Sequence, residues 1–201
     1  MEIIGITGGV GAGKSMLLSY IEDHYPCRVI YADLAAKQLQ EKGSDCYSQL
    51  IELLGESVLC EDLSIDKGKM AQRIFADECL LEKVNAIIHP AVKQYILAEI
   101  QKEQTAGRVD YFFIEAALLI EEHYDEICDE LWYIYADEPA RRKRLASARG
   151  YTKTKTDAIM KSQLTEETFR RYCKVVINNS GTPQEAYRQI GMQLGGRERG
   201  L

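Results

Sequence analysis

The stretch Ile3–Ser15, IIGITGGVGAGKS, carries the plainest chemistry in the chain. Gly8 to Ser15 have the G-x-x-x-x-G-K-[ST] spacing of a loop that wraps phosphates, with an apolar strand pattern before it and a helical pattern after it. Such a loop turns backbone N–H groups inward, and Gly8, Gly9, Gly11 and Gly13 are expected to take positive φ angles to allow it. A helix starting near Gly13 adds its positive end. Lys14 is placed to reach β- and γ-phosphates, and Ser15 to set a hydroxyl on Mg²⁺. The expectation is a nucleoside triphosphate with Mg²⁺, held along Gly9, Val10, Gly11, Ala12, Gly13, Lys14, Ser15 and Met16.

Three function classes use this loop. A guanine-nucleotide switch needs a D-x-x-G segment, which the sequence lacks, and Thr154-Lys155-Thr156-Asp157 sits in a polar, basic stretch rather than at a strand end. A motor or transporter ATPase carries an apolar strand ending in Asp, whereas YFFIEA ends in Glu115. A small-molecule kinase needs an acceptor site, a carboxylate near the acceptor hydroxyl and cations over the γ-phosphate. Asp33, directly after RVIYA, is the candidate carboxylate, because ligands of open parallel sheets gather at the strands' carboxyl ends. Asp33 also suits the N-cap of the helical pattern it begins. From Arg141 to Lys155 there are seven basic residues and no acidic one. Arg144 and Arg149 are the expected cations for the transferring phosphoryl group, at the end of a helix and in the following loop; Arg142 and Lys143 read as solvated.

Those residues need a scaffold. Apolar runs at Glu2–Ile6, Arg28–Ala32, Tyr111–Ala116, Leu131–Ala136 and Lys174–Ile177 read as buried parallel strands, and helical patterns at Lys14–Asp23, Pro139–Ala148 and Pro183–Leu194 separate or follow them. The expected fold is α/β, a P-loop NTPase three-layer fold with a five-stranded parallel sheet. Between the second and third strands, Cys46–Leu54, Lys67–Phe75, Leu80–Ile88 and Ala91–Gln104 read as helices of an insertion. The expected organisation is a nucleotide-binding core over 1–33, 110–148 and 173–194, a helical insertion over 34–109, a lid over 149–172 and a frayed tail over 195–201.

The 201 residues, 46% hydrophobic and 28% charged, suit an ordinary globular chain. A net charge of -6 argues against a general nucleic-acid binder. No run is long and apolar enough for a membrane span, and the first residues lack a secretory layout, so the expected location is the cytoplasm. The six cysteines form no Cys-x-x-Cys pair and are expected to be reduced, with no protein-ligated metal.

Read together, the motifs resemble the dephospho-coenzyme A kinase family from Ile3 to about Leu194. GITGGVGAGKS is similar to that family's phosphate loop, and VIYADLAA to its second strand, where Asp33 falls on the catalytic carboxylate. Arg73–Phe75 and VNAIIHPAV at Val84–Val92 resemble its middle segment. ALLIEE matches at Leu118, Leu119 and Glu121, RLASARGYT carries both arginines of the lid, Gln163 continues that pattern, and VINNSGT supplies Asn179 and Gly181. Tyr31, Ala117 and Gly150 depart from the family pattern. The resemblance implies that ATP phosphorylates the ribose 3′-hydroxyl of dephospho-coenzyme A, giving coenzyme A and ADP. It implies that Asn179 and Gly181 lie by the adenine of ATP, and that Asp33, His89 and Leu118 contact the acceptor; a histidine braced at a helix end before Pro90 is the other reading of His89. The expected partners are these two substrates, with no nucleic acid or membrane, and a monomer or weak homo-oligomer. The rival readings are a shikimate- or uridine-type kinase and a non-catalytic nucleotide-binding regulator.

Overall fold

The computed structural model describes residues 1–195, so the tail expected over 195–201 lies, beyond Gly195, outside the described residues. In chain order the elements are β1 (Glu2–Thr7), α1 (Lys14–His24), β2 (Cys27–Tyr31), α2 (Ala32–Leu39), α3 (Asp45–Leu54), α4 (Lys67–Phe75), α5 (Glu78–Ala106), β3 (Tyr111–Glu115), β4 (Glu130–Tyr135), α6 (Glu138–Arg149), α7 (Lys153–Lys161), α8 (Glu166–Tyr172), β5 (Val175–Asn178) and α9 (Pro183–Gly195). The sheet order is β2-β3-β1-β4-β5, with β1 parallel to β3 and β4, and β4 parallel to β5. This is the five-stranded parallel α/β sheet the apolar runs predict.

The chain divides into two compact units. One comprises Met1–Val29 and the chain from Gly107, and the other Ile30–Ala106. In the first, Ile4, Phe112, Phe113, Ile114 and Trp132 are fully buried. Burying each large apolar side chain contributes about 1.5–3 kcal/mol. Asp129 sets the register between β1 and β4: its carboxylate accepts from Ile3 N at 2.7 Å and its amide donates to Ile3 O at 2.8 Å. The Tyr111 hydroxyl donates to Leu194 O at 2.9 Å, tying the end of α9 to β3. Burial pushes the Cys128 and Cys173 thiols up to about 12, so both remain protonated and unreactive at neutral pH.

The second unit is helical, with a core of Cys46, Leu50, Leu54, Val58, Met70 and Val84. Here one expectation fails. The patterns Leu80–Ile88 and Ala91–Gln104 are not two helices; α5 runs through Pro90 as a single helix of 29 residues. Proline removes one N–H and crowds the carbonyl four residues back, which costs about 3 kcal/mol. The row Val84, Val92, Ile96 and Ile100, buried along α5, keeps the helix continuous despite that cost. His89 is therefore half-buried within a helix and not at a helix end.

Because α5 carries that penalty without a break, Pro90→Ala is expected to stabilise the protein by about 1–3 kcal/mol. Thermal denaturation checks it: the midpoint should rise, and a fall would show that the ring itself is needed.

Candidate functional site

Strand register accounts for the centre of the site. Ile6 of β1 pairs with Glu115, the last residue of β3, so that carboxylate stands beside the strand that feeds the glycine loop. Lys14 opens α1, and its ammonium donates to Gly8 O at 2.8 Å and pairs with Glu115 Oε1 at 3.4 Å. The loop is thus closed on itself by its own lysine, with a carboxylate as counter-charge. Within it, Ala12 N donates to Gly9 O at 3.0 Å and Leu17 N to Gly13 O at 3.3 Å, the start of the helix.

The glycines divide into two kinds. Gly8, Gly11 and Gly13 have φ of 148°, 83° and 91°, as expected for a loop that turns its amides inward. Gly8 also lies against the backbone carbonyl of Ile134 in β4, where a Cβ would overlap it. Gly9 corrects the sequence reading, because its φ is not positive. The atoms nearest a Cβ there all belong to Arg141: it would lie 2.5 Å from Cζ and 2.9 Å from Nη1.

When a loop turns N–H groups inward, its carbonyls face outward and need donors. Side chains from far along the sequence supply them. Arg141 Nε donates to Val10 O at 3.0 Å. Arg144 Nη1 donates to Ala12 O at 3.1 Å, with a longer contact to Gly11 O at 3.5 Å, and Nη2 donates to Asn179 O at 2.7 Å. Asn179, fully buried after β5, donates from Nδ2 to Ala12 O at 2.7 Å, while its Oδ1 has no partner among the described residues. Burial lowers the Arg141 guanidinium from its ordinary range, and an arginine remains charged there.

The structure therefore brings Lys14, Arg144 and Asn179 together on one loop. Arg144 and Arg149 both lie on α6, which extends to Arg149, rather than one on the helix and one beyond it. Arg149 is exposed, its guanidinium 6.0 Å from the Tyr151 ring. Arg142 is not simply solvated: it pairs with Glu138 at 2.7 Å and Asp157 at 2.6 Å, which together raise its pKa. Lys143 is exposed. Ser15 is exposed and its hydroxyl engages no described residue. Met16 lines a surface groove with Tyr20, His24 and Tyr187. Gly181 leaves room for the Glu185 carboxylate, which accepts from Thr182 N at 2.8 Å. Leu118 is 45% exposed in the loop after β3. In the helical unit, Asp33 is the second residue of α2; the N-cap is Tyr31, so Asp33 is not the cap, and its exposed carboxylate has no partner among the described residues.

Sequence reasoning missed two residues. Glu115 was read only as the residue ending its strand; its place beside the loop depends on β3 neighbouring β1, which the sequence does not give. Arg141 gave no signal beyond being one of several cations.

The family model for dephospho-CoA kinase matches residues 2–185. A dephospho-CoA kinase of Shouchella clausii (strain KSM-K16) is 31% identical over 93% of this chain and 94% of its own. One from Carboxydothermus hydrogenoformans is 32% identical over 94% and 91%. The solved dephospho-CoA kinase from Campylobacter jejuni superposes with a TM-score of 0.72 over 98% of this chain and 100% of that one, a likeness of fold at 18% identity.

The two kinds of glycine separate experimentally. Gly8→Ala sets a methyl against backbone that cannot move, and is expected to destabilise the protein by about 3 kcal/mol or more. A thermal midpoint equal to that of the unmodified protein would contradict the close approach to β4.

Proposed function

The chain belongs to the dephospho-CoA kinase family, and on that premise we propose how its residues divide the work. The reaction is transfer of the γ-phosphoryl group of ATP to the ribose 3′-hydroxyl of dephospho-coenzyme A, giving coenzyme A and ADP, the last step of coenzyme A biosynthesis. The observation that carries the assignment is the phosphate loop with Lys14 and Glu115 at its mouth, in a chain matched by the family model over 2–185.

Lys14 leaves Gly8 O and Glu115 to neutralise charge on the β- and γ-phosphates. Asp33 orients the 3′-hydroxyl and takes its proton as the new O–P bond forms and the bond between γ-phosphorus and the bridging oxygen breaks, leaving ADP. Its exposed, unengaged carboxylate suits that task. Mg²⁺ fits the hard oxygen of Ser15, whose hydroxyl is open to solvent and uncommitted; when bound it supplies charge neutralisation at the phosphate oxygens. Arg144, committed to loop carbonyls, acts as a positioning residue, and Arg149, exposed at the end of α6, covers the γ-phosphate. Gly9 to Met16 with Asn179 and Gly181 form the nucleotide side. The helical insertion, 34–109, holds the acceptor with His89, and Leu118 adds an apolar contact; segment 149–172, which contains α7 and α8, serves as the lid. No helix among the described residues is long and apolar enough to cross a membrane. Cytoplasmic work as a monomer or weak homo-oligomer, without nucleic acid or membrane, is consistent with the net charge of -6 and the unpaired cysteines.

Purified protein with Mg-ATP should release ADP in the presence of dephospho-coenzyme A and not with nucleosides, nucleotides or shikimate; binding of ATP without turnover on any of these would indicate a regulator. Asp33→Asn should lower kcat by about 100-fold or more with ATP affinity nearly unchanged. Turnover at the parental rate would remove Asp33 from the proton-accepting role.

A further inference from the structure

Val10, at the tip of the phosphate loop, is gripped at both ends by side chains more than 130 residues away in sequence. Its amide donates to Gln163 Oε1 at 3.3 Å, and its carbonyl accepts from Arg141 Nε at 3.0 Å. Arg141 Nη2 donates to the same Gln163 oxygen at 2.5 Å, which closes a ring of three residues. Gln163 lies between α7 and α8 and Arg141 on α6. The guanidinium occupies the space a Cβ at Gly9 would fill, and the φ of Gly9 lies outside the positive region that favours glycine. The glycine at position 9 is thus demanded by Arg141 and not by the backbone.

We propose that Arg141 and Gln163 are positioning residues for nucleotide binding: they latch the segment between α7 and α8 to the loop tip through Val10, and Gly9 exists to admit the latch. The physical reason is the neighbourhood of Val10. Gly9 and Gly11 flank it, and glycine loses more conformational freedom on ordering than any other residue. An unlatched tip samples several peptide orientations, and an arriving triphosphate must order it. A guanidinium suits the task because its planar fork reaches two acceptors at fixed spacing, which an ammonium on a flexible stem does not. The effect falls on the nucleotide and leaves the acceptor alone.

The inference rests on reading Gly8–Ser15 as the phosphate loop, but not on which alcohol receives the phosphate. Calorimetric titration with Mg-ATP and Mg-ADP therefore tests it apart from the acceptor assay. Arg141→Ala and Gln163→Ala should each weaken both nucleotides by about tenfold, while KM for dephospho-coenzyme A at saturating ATP stays within twofold. Arg141→Lys should resemble Arg141→Ala, since charge without the fork does not close the ring. Gly9→Ala should expel the guanidinium and match Arg141→Ala, and the double variant G9A/R141A should be no worse than either single one. Thermal midpoints of all variants confirm that the fold is kept; if Arg141→Ala fails to fold, Arg141→Lys and Gln163→Ala decide. Nucleotide affinities within twofold of the parent, full rescue by lysine, additive losses in the double variant, or a change confined to the acceptor KM would each overturn the proposal.

Discussion

A phosphate-binding loop must satisfy an accounting rule: each amide turned toward the ligand turns a carbonyl the other way, and a half-buried carbonyl without a donor costs about 1–3 kcal/mol. In this protein the outward carbonyls of Val10 and Ala12 are met by Arg141, Arg144 and Asn179, with Gly11 O in longer reach of Arg144. Everything else in the nucleotide-binding unit can be understood as holding α6 and the end of β5 where those donors are needed. Two of the three carry full positive charge, so they also polarise the peptide units whose carbonyls they hold.

The sheet does that holding. Parallel pairing of β1 with β4 and of β4 with β5 delivers the ends of all three strands in sequence, Thr7 beside Tyr133 and Tyr135 beside Asn178. Asn179 N donates to Tyr135 O at 2.7 Å and the Ser180 hydroxyl accepts from Asp137 N at 2.9 Å, so the turn after β5 and the start of α6 are joined directly. The Asp137 side chain then caps α6 through Ala140 N. A chain of short-range hydrogen bonds thus runs from the buried strands to the two guanidinium groups.

The strands were legible because parallel strands buried on both faces read as unbroken apolar, β-branched and aromatic runs, and all five occur where those runs lie. The loop was legible because its chemistry demands fixed residue types at fixed spacing. What sequence left hidden depends on packing at a distance. Pro90 marks a helix boundary by local rules, yet apolar residues on either side of it hold α5 together. Gly9 looks like its neighbours, and only the position of Arg141 shows that it is glycine for want of space and not for want of φ. Asp33 matches an N-cap by type, but the helix begins at Ala32, two residues earlier than a cap at Asp33 requires. Arg141 and Arg142 are adjacent and chemically identical; the turn of α6 aims one at the glycines and the other at Asp157.

Lys14, stowed between Gly8 O and Glu115, gives the resting protein one more property. A pocket whose cation already has a resident counter-ion does not attract every stray oxyanion. A small monovalent or divalent ion offers too few contacts to compete with a tethered carboxylate, whereas a polyphosphate chain touches the lysine, the helix end and several amides at once. The internal pair therefore acts as a threshold, one that a ligand with several linked charges is better equipped to cross than a single oxyanion.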